Sequence, residues 1–87
     1  MSKITFSENA WEEYLYWQVT DKKILAKINK LLKEIQRTPF IGEGKPEPLK
    51  RSPGSWSRRI NGKDRLVYEV ENNHINVLQC KGHYNDK

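Results

Sequence analysis

The residue types that build sites by themselves are nearly missing from this 87-residue chain, which has one cysteine, Cys80, and two histidines, His74 and His83. A single cysteine excludes an internal disulfide, and with two histidines it cannot complete a convincing zinc centre. No run of about 18 apolar residues occurs, which excludes a membrane-spanning helix. The opening MSKITFSEN lacks the charged-then-apolar pattern of a secretory leader. These absences lead us to expect a reduced, cytoplasmic protein with neither metal nor cofactor. Acidic residues are the scarcer charge, 11 against 16 basic ones, for a net charge of +5. A content of 36% apolar and 31% charged residues fits a globular chain rather than a disordered one. At this length one modest core is all the chain can build, so a single domain over residues 1–87 is expected.

The excess positive charge is concentrated. Residues 1–37 carry seven Lys/Arg against five Asp/Glu, residues 38–66 seven against three, and residues 67–87 two against three. The middle of the chain therefore holds +4 of the +5. A basic patch of this kind suits an anionic partner, nucleic acid foremost, although on charge alone a merely soluble basic surface is an equal reading.

Ile4 and Phe6 alternate with polar neighbours as a short opening strand. Ser7 stands where it would cap a helix, with Glu8 in the first turn, and Phe6 and Trp11 have the spacing of a hydrophobic staple. Trp11, Tyr14, Leu15 and Gln18 share a stripe, which predicts a first helix to about Gln18; the run WEEYLYW reads as core more readily than as a base-stacking surface. Thr20 or Asp21 would cap a second helix. In it Ile24, Ile28, Leu31 and Ile35 recur at helical spacing, and Lys22, Lys23, Lys27, Lys30 and Lys33 form a solvated face. That helix must end near Arg37, because Thr38 precedes Pro39. Residues 38–55 hold all four prolines and three of the five glycines, a long loop of the kind that is usually functional. Then come SWSRRI, RLVYEV and HINVLQC, three strands joined by Asn61-Gly62-Lys63-Asp64 and by Asn72-Asn73, short enough to require antiparallel pairing. The fold class is α+β: a short N-terminal strand, then two helices on one face of a mostly antiparallel sheet. Alternation places Leu66, Tyr68 and Val70 toward the helices and Arg65 away from them. With Leu78 and Cys80 also inward, Lys81 and His83 point outward, and with Ile60 inward Arg59 lies beside Arg65. Cys80 reads as a small buried hydrophobe.

The open face would then gather Glu47, stiffened between Pro46 and Pro48, with Arg59, Arg65, His83 and Tyr84. Lys50, Arg51, Arg58 and Lys81 lie close in sequence and join Arg59 as candidate RNA- or phosphate-binding residues. A carboxylate, arginines and an imidazole are what metal-free RNA cleavage needs. The carboxylate removes the 2′-OH proton, the arginines stabilise the charged phosphorane, and the imidazolium protonates the 5′-oxygen. Each piece alone is weak. A Glu in a proline-rich turn is usually a surface residue, paired arginines are more often grips or salt bridges, and His74 in its turn reads as inert.

The stretches RTPF, GKPEPLK, WSRRI, RLVYEV and the terminal C-x-x-HY together closely resemble the YoeB toxins of bacterial YefM–YoeB toxin–antitoxin pairs, within the RelE/ParE-like superfamily. The resemblance covers nearly the whole chain. It implies a microbial-ribonuclease-like fold and a ribosome-dependent endoribonuclease that cleaves mRNA in the A site. By the same resemblance Glu47 is general base, His83 general acid, Arg65 transition-state stabiliser and Tyr84 a positioning or stacking residue, with Arg59 and Lys50 in support. It also implies a homodimer when free, a YefM-like antitoxin, and operator DNA bound by the toxin–antitoxin complex. Two features depart from the family pattern: Asn85-Asp86-Lys87 follow the His-Tyr pair, and RSPGSW is one residue short, with Pro53 introduced. The rival readings are a ParE-like gyrase poison, a non-catalytic nucleic-acid-binding module, and an inactive regulator. The presence of base, acid and arginine favours the enzyme over all three.

Overall fold

A computed structural model describes residues 2–50 and 52–83. Strand β1 (Lys3–Phe6) leads into helix α1 (Glu8–Thr20), which is followed directly by α2 (Lys22–Arg37). Ser7 caps α1 by accepting the Ala10 N–H at 3.1 Å. The Phe6 and Trp11 rings meet edge-on with centroids 5.8 Å apart, closing the staple. The helix runs two residues past the expected end because the Asp21 N–H still reaches the Trp17 carbonyl, at 3.0 Å. Asp21, not Thr20, then caps α2, its Oδ1 accepting the N–H groups of Lys23 and Ile24. The second helix stops at Arg37, as the Thr38-Pro39 step demands.

The sheet continues with β2 (Glu47–Pro48), β3 (Ser55–Arg59), β4 (Arg65–Glu71) and β5 (His74–Gln79), in the order β1-β5-β4-β3-β2. All pairings are antiparallel except β1 with β5, which runs parallel. The Asn72-Asn73 turn has both residues at positive φ, as a two-residue hairpin between right-twisted strands requires. At the other hairpin Asn61 Oδ1 accepts the N–H groups of Lys63 and Asp64, so the turn is made by the asparagine side chain.

Both helices lie on one face of the sheet. Ala10 and Trp17 from α1 and Ile28, Leu31, Leu32 and Ile35 from α2 pack on Ile60, Leu66, Tyr68, Ile75, Val77 and Cys80. Burying each large aliphatic side chain here contributes about 1.5–3 kcal/mol. Two expectations about this face need correction. In α1 the core residues are Ala10 and Trp17, while Trp11 and Leu15 remain exposed together with Val19; a helix apolar on several sides does not reveal from its spacing which side is buried. In β5 it is Ile75, Val77 and Cys80 that face the helices, with Leu78 outside the buried core. The cause is a β-bulge: Tyr68 pairs with Val77 but Val67 pairs with Gln79, so Leu78 is an extra residue that resets the alternation. Cys80 therefore still points inward, fully buried, and desolvation pushes its thiol up to about 12. No described helix is long and apolar enough to cross a membrane.

Candidate active site

The loop that delivers Glu47 is fastened from beneath by Arg58. This arginine shares the parity of Ile60, is 0% exposed, and spends its donors inside the protein. Nε donates to the Tyr68 hydroxyl at 3.1 Å, Nη2 to the Thr38 and Ile41 carbonyls at 2.7 and 2.9 Å, and Nη1 to the Glu43 carbonyl at 3.2 Å and to Glu34. Tyr68 in turn donates to the Pro39 carbonyl at 2.7 Å. One guanidinium thus fixes residues 38–43, and its assignment as an RNA- or phosphate-binding residue is corrected: no donor of a buried side chain so engaged faces an incoming phosphate. The Glu34 carboxyl is held below the usual carboxylate range, chiefly by the Glu43 N–H and then by Arg58, against the opposing effect of burial. Glu43 is lowered by Lys27 and Lys30, so two of the α2 lysines serve the loop.

From Glu43 the chain must pass very close to β3. Gly44 has φ +86°, its carbonyl accepts the Arg59 N–H at 2.6 Å, and a Cβ there would stand 2.9 Å from the Arg59 carbonyl oxygen. Only glycine fits. Residues 47 and 48 then add a short edge strand to β3, with Glu47 opposite Ser57. A strand of two residues within a proline-rich loop leaves no periodicity to read. Beyond it the Leu49 N–H donates to the Ser55 carbonyl at 2.9 Å, closing the loop.

Register now places the candidate side chains. Glu47, Ser57, Val67 and Gln79 are successive cross-strand partners, and side chains directly opposite each other share a face. That face is the one away from the helices. Arg59 and Arg65 form the adjacent pair two residues along, also directly opposite each other. Glu47 is therefore a diagonal neighbour of Arg59, about 7–8 Å apart at Cα. From strand spacing, Glu47 and Arg65 are about 12 Å apart at Cα, a gap their two long side chains can span around a phosphodiester. Like charges placed opposite each other on a sheet are destabilising, and an anion between them removes that cost.

His83 follows one residue past Gly82, which is bonded to the Arg65 end of β4. The Arg65 N–H donates to the Gly82 carbonyl at 3.0 Å, and the Gly82 N–H donates to Asp64 Oδ1 at 2.7 Å, so residues 64 and 65 grip the residue before His83 from both sides. His83 is exposed and borders a cleft of about 310 Å³ shared with Tyr16, Lys63 and Lys81. Lys81 departs from the expected arrangement: its Nζ lies 4.8 Å over the Tyr16 ring of α1, so it is turned toward the helix rather than toward the arginine pair. Lys50 is exposed beyond β2. Arg51 and Tyr84 lie outside the described residues. Among the described residues no three His, Cys, Asp or Glu side chains gather as metal ligands. The sequence reading missed Asp64 and Gln79. Asp64 was visible only as the end of a turn, and Gln79 as one polar residue in a strand.

Comparison with known proteins agrees with this architecture. The family model for the YoeB-like toxin of bacterial type II toxin–antitoxin systems matches residues 6–84. Toxin YoeB of Escherichia coli strain K12 is 53% identical over 83 residues, spanning 94% of this chain and 99% of that protein. The structure of the YoeB dimer from Staphylococcus aureus superposes with a TM-score of 0.90 at 53% identity, covering 95% of this chain and 98% of that one. The toxin in the heterotetrameric YoeB–YefM complex from the same organism gives 0.88 at 52% identity, covering 97% and 99%.

Proposed function

The chain belongs to the YoeB-like toxins of bacterial type II toxin–antitoxin systems, and on that premise we propose that it is a ribosome-dependent endoribonuclease that cleaves mRNA in the A site and so arrests translation in the cytoplasm. The observation that carries this reading is the Arg59–Arg65 pair set beside Glu47 on the helix-free face of the sheet. Glu47 takes the proton of the ribose 2′-OH as that oxygen attacks the neighbouring phosphorus. Arg65, assisted by Arg59 and Lys50, stabilises the extra negative charge of the phosphorane. His83 gives a proton to the departing 5′-oxygen, leaving a 2′,3′-cyclic phosphate on the upstream fragment and a 5′-hydroxyl on the downstream one. Tyr84 stacks on a base or positions the phosphate. Side chains supply both proton transfers, so the reaction needs no metal. The partners are the ribosome with its mRNA, a second copy of this chain when free, a YefM-like antitoxin, and operator DNA through the toxin–antitoxin complex; dimeric and YefM-bound relatives support two of these.

Primer extension on a defined mRNA in a purified translation system tests the reading, with Glu47→Ala and His83→Gln as comparisons. The expected result is a stop within the A-site codon that requires ribosomes and is lost in both variants. Intact mRNA with wild-type protein, accompanied by inhibited DNA supercoiling, would place the chain among gyrase poisons instead.

A further inference from the structure

We propose that Gln79 and Asp64 are positioning residues that set the place of His83. The Gln79 side-chain amide nitrogen lies 3.1, 3.0 and 3.1 Å from the carbonyl oxygens of Lys81, Gly82 and His83, so three consecutive carbonyls converge on one donor. The segment curls around that amide, and Gly82 permits the curl with φ +80°. From the other side Asp64, 2% exposed, accepts the Gly82 N–H through Oδ1 and the Asn61 side-chain amide through Oδ2 at 3.0 Å. The Gly82 carbonyl also receives the Arg65 N–H. Segments following a last strand ordinarily fray; here every carbonyl from 81 to 83 is held, and the holding groups sit beside the residues they serve. Gln79 belongs to the cross-strand row that carries Glu47, and Asp64 immediately precedes Arg65.

The inference rests on the reading of His83 as the general acid. Such a group must stand within hydrogen-bond reach of the leaving oxygen, and a displacement of about 1 Å can cost on the order of 100-fold in rate. The Gln79 amide nitrogen is spent on the carbonyls of residues 81–83. It acts by fixing the backbone from which the imidazole projects.

The test compares wild type with Gln79→Met, Gln79→Lys and His83→Ala in single-turnover cleavage of A-site mRNA on purified ribosomes, together with thermal unfolding. Methionine keeps the length of the side chain and removes the donor, whereas the lysine ammonium restores three donors for three carbonyls. Gln79→Met should cut about 10- to 100-fold more slowly, with an unchanged half-saturating ribosome concentration and an unchanged unfolding temperature, because Gln79 lies half-buried at the end of β5. Gln79→Lys should recover most of the rate. Wild-type cleavage by Gln79→Met beside an inactive His83→Ala would overturn the positioning role alone. A loss in Gln79→Met that follows a lowered unfolding temperature and is not rescued by lysine would reduce Gln79 to ordinary structural support and also overturn it. Wild-type cleavage by His83→Ala would remove the catalytic reading and this inference with it.

Discussion

Arg58 and Arg59 are consecutive, chemically identical and on the same strand, yet they belong to different parts of the molecule. Arg58 points to the helix side, where it is fully buried and bonded to a phenol, a carboxylate and three carbonyls. Arg59 points to the helix-free side, exposed and opposite Arg65. The strand's two-residue alternation makes the first a rivet for the Glu47 loop and leaves the second exposed on the face where the proposed function needs it. A basic patch counted from sequence therefore overstates the charge available for binding.

The sharpest way to test that division is to truncate each arginine. Arg58→Ala leaves several buried acceptors without a donor and should cost about 3–5 kcal/mol in urea unfolding, a large part of the roughly 5–15 kcal/mol that holds a typical domain together. Arg59→Ala should stay within about 0.5 kcal/mol of wild type while slowing mRNA cleavage; equal losses of stability would erase the distinction. A smaller effect is expected at Gly44. Alanine there meets the Arg59 backbone and a positive φ, for a loss of about 1–3 kcal/mol, and a displaced Glu47 should lower cleavage further than that loss explains.

The acid limb of stability distinguishes the two sides more gently. Glu34 and Glu43 are depressed in the folded state, so their stabilisation is complete above the ordinary carboxylate pKa, about 4.3, and is lost as pH falls through the lower folded values. Unfolding free energy should decline below about pH 4.5, less steeply in Glu34→Gln and less steeply in high salt, since both carboxylates are partly exposed. The smallest effect concerns Cys80. Its buried thiol, pushed up to about 12, should resist alkylation at pH 8 in the folded protein and react at once in urea.

What the sequence disclosed was mostly local. The Ser7 cap, the Phe6–Trp11 staple, the end of α2 at Thr38-Pro39 and both hairpins follow from neighbours within a few residues, and each took its expected form. The parallel β1–β5 pairing, the edge strand at Glu47 and the bulge at Leu78 depend on partners far along the chain and left no periodic trace. At the site, Arg59 and Arg65 were readable from alternation and Glu47 only from its place between two prolines, and the register sets the three on one face. Arg58 was readable in parity, since it shares the side of Ile60, but the loop carbonyls that neutralise a buried guanidinium were not. Lys81 was misplaced because β5 ends at Gln79, and beyond a strand's end alternation no longer says which way a side chain points. The same holds for His83, which borders the same cleft beside Tyr16. Gln79 was missed because its partners are main-chain carbonyls, which carry no residue signature.

The central claim is that the helix-free face cleaves RNA through the 2′-hydroxyl of the substrate itself. An mRNA carrying a single 2′-deoxynucleotide on the 5′ side of the scissile bond, presented in the ribosomal A site, tests this most directly. The account predicts that this bond stays intact while the all-ribose mRNA is cut and ends in a 2′,3′-cyclic phosphate. Cleavage of both substrates at the same rate would mean that another nucleophile attacks the phosphorus, and the roles given to Glu47 and His83 would fall with it.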